Sequence, residues 1–381
     1  MEFDFQWLLW ALPLAFALGW LASRFDLRQW RREESETPRA YFKGLNLLLN
    51  EQQDKAIDAF IEAVQQDPGS SDLHFALGNL FRRRGEYERA VRVHEHLLQR
   101  ADLPRAERER AQHALAQDFM RAGLFDRAEQ AYRALEATPF DTEARLALLG
   151  LYERSRDWHA AIEIAGKLER SGTGSFATRI AHYWCEEALA ADARQQPDDA
   201  ATALLHAREA APQAARPLVL AGQRLARRGD HAAALREWTE LRTRNPAAFA
   251  LVALEFARSA LACGQTAGAL ENLQAQYAQH PGMDLLNAML LLDPQPQAQS
   301  RRLLDHLESQ PTPSAALAWL RASTDLDPSV RERVAQAVDR AARPLLRYRC
   351  AACGFEAQHY FWQCPGCLGW DTYPPQRLEE L

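Results

Sequence analysis

The sequence predicts an all-α solenoid of helical hairpins, preceded by one apolar helix and followed by a small cysteine-stapled module. Three observations predict it: an uncharged run from Phe5 to Ala22, a pattern of small and large apolar residues that recurs every 34 residues, and four of the six cysteines gathered between 350 and 367. At 381 residues, with 47% hydrophobic and 25% charged side chains, the composition is globular and allows two or three domains with a sizeable core. A net charge of −6 and an isoelectric point near 6.0 give no cationic footprint for a polyanion, so nucleic acid is not an expected partner.

The N-terminal run, eighteen residues as a helix, spans about 27 Å, close to the hydrocarbon thickness of a bilayer. A signal peptide would begin with positive charge and end in a cleavage site, whereas Glu2 and Asp4 precede this run. The expectation is therefore an uncleaved transmembrane anchor over residues 1–23, with Pro13 tolerated within it. Arg24, Arg28, Arg31 and Arg32 follow in a basic linker, 24–39, which by the positive-inside rule places the C-terminal side in the cytoplasm; Trp7, Trp10 and Trp20 fall near the interfaces. Ala11, Ala15, Gly19 and Ser23 recur every four residues and make a face on which a second helix can pack closely. Small residues are also common in membrane helices generally, and that reading stays open.

Residues 40–283 read as about seven helical hairpins. Leu77, Gly78, Phe81, Gly85, Tyr87 and Ala90 stand at the spacing of a tetratricopeptide repeat, and Gly44, Ala56, Phe60, Ala63 and Pro68 form the unit before it. Leu115, Ala116, Phe119, Gly123, Phe125, Ala128 and Tyr132 repeat the pattern. Units around Tyr152 and Trp158, around Trp184 and Leu204, and around Gly222 and Trp238 continue it, and a degenerate one surrounds Gly264. Small residues let the two helices of each unit cross closely, large ones fill the gap, and proline ends the second helix. "SGTGS", 171–175, reads as a loop, because its glycines lack the strand before and lysine after that a phosphate cradle needs. "HEH", 94–96, is not the spacing of a zinc-protease helix and reads as a solvated or groove face.

In this register the position after each signature small residue points into the concave groove, where Asn79, Gln117 and Gln223 stand, with Arg82, His113 and Arg121 nearby. Amides can satisfy both backbone groups of an extended peptide, and arginine can pair with its carboxylates. A water-filled polar groove is the alternative. From 284 to 346 prolines punctuate shorter helices that should cap the array.

Cys350-x2-Cys353-x10-Cys364-x2-Cys367, within residues 347–373, has the spacing of a tetrathiolate metal site. Iron and zinc both suit it. The connecting "FEAQHYFWQ" is rich in strand formers and should run as a hairpin, and residues 374–381 form a tail. So short a segment cannot build a core without a staple, which favours a structural ion over electron transfer. Phe355, Tyr360, Phe361, Trp362 and Trp370 should pack against the repeats or a partner. Cys185 and Cys263, isolated in helical segments, read as core residues. No phosphate loop, nucleophile elbow or open metal site marks an enzyme.

The uncharged span, the repeats from Tyr41 onward, "RYRCAACGF" and "WQCPGC" together resemble the lipopolysaccharide assembly protein B family. The resemblance implies a non-enzymatic adaptor anchored in the bacterial inner membrane, with a rubredoxin-type metal module, and it carries over Cys350, Cys353, Cys364 and Cys367 as ligands of one iron or zinc ion. It further implies regulation of lipopolysaccharide biosynthesis by promoting proteolysis of the deacetylase LpxC by the membrane protease FtsH, together with contacts to other lipopolysaccharide assembly proteins. Two departures from rubredoxin itself are the short loop between the cysteine pairs and Leu368, where a glycine usually stands. A scaffold for another membrane complex and a rubredoxin-like electron carrier remain the alternatives. Self-association through the groove or the membrane face also stays open.

Overall fold

The computed structural model describes residues 14–20, 42–323 and 327–381. Residues 14–20 are helical and exposed, and they include Ala15 and Gly19; Ala11, Ser23, the basic linker and most of the expected span lie outside the described residues. Among the described residues no helix is long and apolar enough to cross a membrane.

The chain divides into two compact units, 1–155 and 156–381. In the first, α1 (42–49) and α2 (Gln53–Gln66), α3 (Ser71–Arg84) and α4 (Tyr87–Gln99), and α5 (Arg105–Ala122) and α6 (Phe125–Arg133) form successive hairpins, and α7 (Asp141–Ser155) follows. The pairing comes directly from the small-large alternation. A Cβ at Gly78 would lie 2.5 Å from His94 Nε2, so only glycine lets α3 approach α4 this closely. Phe60, Leu73, Leu77 and Phe81 fill the next layer.

His94 is completely buried, against the expectation of a solvated or groove face for "HEH". The reason is the hole over Gly78 and a buried acceptor: Asp118 Oδ2 lies 2.5 Å from His94 Nδ1. Its neighbour His96 is exposed and stacks on His74.

The second unit holds α8 (Trp158–Arg170), α9 (Ala177–Ala193), α10 (Pro197–Ala210), α11 (Ala215–Arg227), α12 (His231–Arg244), a short α13 (Pro246–Phe249), α14 (Ala253–Ala262) and α15 (Thr266–Gln279). Here α9 packs on α10, α11 on α12 and α14 on α15. A Cβ at Gly222 would come within 2.2 Å of the Trp238 indole nitrogen, the same device one helical pair after another. Asp230 stops α12 from fraying by accepting from the Ala233 amide at 3.0 Å. Trp238, Leu241, Phe249, Phe256 and Leu273 form the core of this unit. Cys185 is buried in a separate cluster between α9 and α10, and desolvation pushes its thiol up to about 12, as befits a core residue. Four further helices follow, α16 (Met283–Leu292), α17 (Pro296–Ser309), α18 (Pro313–Ala322) and α19 (Pro328–Ala342); α16 packs on α14 and α15, α17 on α18, and α18 on α19.

The C-terminal module has two short strands, β1 (Tyr348–Arg349) and β2 (Glu356–Ala357), antiparallel with Tyr348 opposite Ala357. The expected hairpin within "FEAQHYFWQ" does not form. Its first residues pair backwards across the first cysteine pair, and Gln363 bridges forwards to Trp370 across the second. Each C-x2-C thus sits at the tip of its own turn, because two backbone ladders hold four sulfurs together better than one.

Candidate metal centre and its seat on the repeats

In the first turn the Gly354 amide donates to Cys350 O and the Cys350 amide to Phe355 O, both at 2.9 Å. In the second, the Leu368 amide donates to Cys364 O and the Cys364 amide to Gly369 O, both at 2.8 Å. The two turns are equivalent, and both close through a left-handed residue, Gly354 at φ +77° and Leu368 at φ +60°. Leucine at that position explains the departure from the glycine rule: its side chain stays in solvent, so the cost is only backbone strain.

The four Sγ atoms lie within 4.8 Å of one another, with Cys350 and Cys367 at 3.8 Å and Cys353 and Cys364 at 3.6 Å. An ion bound at about 2.3 Å by four tetrahedral sulfurs needs edges of about 3.8 Å, so the donor set fits one metal ion. The electrostatics agree. Burial opposes ionisation of Cys350, but the Thr372 hydroxyl and the Cys353 and Ala352 amides outweigh it and draw the thiol down to about 6. Cys353, despite the favourable Phe355 amide, is pushed up to about 12 by desolvation and by the three neighbouring sulfurs. A cation relieves that crowding. Cys350 and Cys364 are buried, whereas Cys353 and Cys367 face outward. Tyr373 is buried beneath the site with its hydroxyl 3.9 Å from Cys364 Sγ.

The module is fastened to α9 and α11. Trp370 stacks on His182 with centroids 4.6 Å apart and meets Trp158 and Tyr183 edge-on. The Arg216 guanidinium lies 5.6 Å from its ring centre. His182 Nε2 and Asp371 Oδ2 are 2.7 Å apart, and Trp362 packs against the core of the unit. Trp362 and Trp370 therefore cover the repeats, as their number suggested, whereas Phe355 and Phe361 remain exposed.

Sequence reasoning took residues 374–381 as a plain tail and missed their role. Arg377 pairs with both oxygens of Asp284 at 2.8 and 3.0 Å, Glu380 accepts from the Met283 amide at 3.0 Å, and Glu379 bonds to Ser314. Glu380 thus caps the start of α16. An arginine and two glutamates within four residues were the available signal.

The groove candidates lie on three helices, α3, α5 and α11. Arg82 donates to Asn79 Oδ1, to Ala114 O and to the buried Asp118 carboxylate at 2.6, 3.1 and 2.8 Å, so Asn79 and Arg82 tie α3 to α5. His113 lies 3.4 Å from Gln117 Nε2 and 3.3 Å from Glu143, stacks on Phe140, and has its pKa lowered mainly by burial. Arg121 is exposed, and Gln223 belongs to the second unit.

Comparison with known proteins fits this architecture. A family profile described as a rubredoxin metal binding domain matches residues 348–375, and profiles described as tetratricopeptide repeat match 73–109 and 113–175. The Lipopolysaccharide assembly protein B of Escherichia coli (strain K12) is 32% identical over 378 residues, spanning 96% of this chain and 97% of its own. The chain belongs to the lipopolysaccharide assembly protein B family. The Lipopolysaccharide assembly protein B of Haemophilus influenzae is 26% identical over 399 residues, spanning 97% and 98% of the two chains. In this family member, then, an all-helical tetratricopeptide solenoid carries a C-terminal zinc-ribbon module whose four clustered cysteines can hold one ion.

Proposed function

We propose that this family member is a non-enzymatic adaptor in lipopolysaccharide assembly, anchored in the bacterial inner membrane by residues 1–23 with its repeats and metal module in the cytoplasm. Its task is to present the deacetylase LpxC to the protease FtsH and so limit lipopolysaccharide synthesis. The observation that carries the reading is a closed four-sulfur site fastened to a repeat face through Trp370 and Asp371. Four protein ligands leave no open position for a substrate, so the ion, iron or zinc, shapes a surface instead of activating water. Repeat arrays of this kind grip protein segments. The uncharged run Phe5 to Ala22 and the arginines after it support the anchor and its orientation.

The test is LpxC lifetime after a block of translation, in cells with and without this protein. A longer lifetime without it is expected; an unchanged lifetime sinks the adaptor reading. A rubredoxin-like electron carrier is the second reading, favoured by the outward-facing Cys353 and Cys367. It requires visible absorption of a ferric tetrathiolate and reduction by a cellular donor.

A further inference from the structure

Beside the seat of the metal module, a cleft of about 500 Å³ opens between the module and the repeats, within the size range of ligand sites. Ala211, Pro212 and Ala248 give it an apolar wall on the repeat side, and Tyr360, Trp362 and Asp371 close it on the module side. The two rings are half-buried, with centroids 5.0 Å apart and planes at 81°. Apart from the titratable His182, Asp371 is the only charged side chain among the described residues that line the cleft. Its Oδ2 meets His182 Nε2 at 2.7 Å, and its Oδ1 accepts no hydrogen bond from any described residue. The side chain is 43% exposed, so the carboxylate meets whatever enters. Two arginines on the flanking helices are already taken: Arg216 on α11 by Glu186 at 2.6 Å, and Arg244 on α12 by Glu240 at 2.7 Å.

An apolar wall, two aromatic rings and a carboxylate with no lysine or arginine of its own match an ammonium or guanidinium group on a hydrocarbon stem. We infer that this cleft takes a lysine or arginine side chain of a partner protein, its stem against Ala211, Pro212 and Ala248 and its charge on Asp371 beside Tyr360 and Trp362. The inference rests on the adaptor reading above, in which a second polypeptide is held, and it adds the chemistry by which the seam recognises that polypeptide. An anion meets like charge at Asp371, and a wholly apolar side chain removes water from the carboxylate without replacing its hydrogen bonds. The occupant touches module and repeats at once, so recognition depends on the module being seated.

The probe is a short acetylated and amidated peptide with one lysine among alanines and serines, titrated into the full chain in detergent while the tryptophan indole N–H signals are followed by NMR. The Trp362 signal, identified by its loss in Trp362→Phe, should move saturably. The Trp370 signal, identified in the same way, should stay in place in every variant, which shows that the module remains seated. Norleucine in place of lysine should weaken binding about tenfold, the worth of one charge-assisted pair, and so should Asp371→Asn, which keeps an acceptor for His182. Gln213→Lys, at an exposed position on the rim, should weaken binding roughly fivefold by like charge. Glu88→Gln, on α4, removes one negative charge from the first unit and should leave binding unchanged. No saturable shift, norleucine equal to lysine, wild-type affinity in Asp371→Asn or Gln213→Lys, or tighter binding of a glutamate peptide overturns the inference. So does equal binding of n-butylamine, which has the charged head and stem without a peptide. The titration reads the cleft alone and LpxC lifetime reads the adaptor role, so failure of the one is distinguishable from failure of the other.

Discussion

Trp370→Ala isolates the energy that holds the metal module to the repeats. The indole is half-buried, stacked on His182, edge-on to Trp158 and Tyr183, and beside the Arg216 guanidinium. Half of a roughly 200 Å² aromatic side chain at about 25 cal/mol per Å² contributes ~2.5 kcal/mol. Stacking adds ~0.5–1.5 kcal/mol, so truncation should cost about 3 kcal/mol of docking, a factor of roughly 150 in the docked-to-open ratio. The assay is tryptic cleavage after Arg349, whose peptide bond is held in β1 next to the buried Cys350, read by mass spectrometry. When opening is fast relative to cleavage, the rate follows the open population, and it should rise about a hundredfold. Bound metal, measured in parallel, should be retained, because none of the four sulfurs is touched. The exposed Phe355→Ala serves as control and should change cleavage less than about twofold. Wild-type protection in Trp370→Ala would show that the aromatic seat does not hold the module.

Gly222→Ala should lower stability by about 1–3 kcal/mol in chemical unfolding, because its new methyl meets the Trp238 indole; Gly150→Ala, with open space around it in α7, should instead raise stability by about 0.5–1 kcal/mol. Arg377→Ala should destabilise by about 1–2 kcal/mol near neutral pH by stranding Asp284, whose pKa burial already raises. That loss should shrink in acid, where the carboxyl is protonated, and urea curves at two pH values check it. Burial lowers the pKa of both His113 and His306 below the unfolded value, so their neutral forms favour the fold above about pH 6.5 and that contribution is lost as pH falls. His306→Gln should flatten the fall in melting temperature between pH 7 and pH 5.5.

The hairpins were legible because each depends on a local rule with a visible period. Gly78 and Gly222 mark close crossings whatever surrounds them, and Asp230 marks a helix start. The metal ligands were legible for the same reason, since the two-residue gap fixes the turn. What sequence could not reveal depends on distant pairing. His94 is buried because Asp118 stands 24 residues on, and Arg82 is withdrawn from the groove by the same carboxylate. His182 and Asp371 meet across 189 residues, and Arg377 finds Asp284 across 93. Polar residues at such separations look solvated until the fold supplies the partner.

The metal and the docking surface are one mechanical unit. Trp370 is the residue that bridges to Gln363, and the Asp371 amide donates to the Trp362 carbonyl at 2.9 Å. The segment between these pairs is the second cysteine turn, so the grip on Cys364 and Cys367 fixes the spacing of Trp362, Trp370 and Asp371. Those are the side chains that touch His182, Arg216 and the core of the second unit. Removing the ion lets the sulfurs take up protons and removes the bonds that tie the two cysteine turns together, so the turns are free to separate. Chelation should then raise cleavage after Arg349 as Trp370→Ala does, and chelation of Trp370→Ala should add less than the product of the two effects, because both act on one docking step. Full multiplicativity would mean that the ion stabilises the module without positioning its aromatic face.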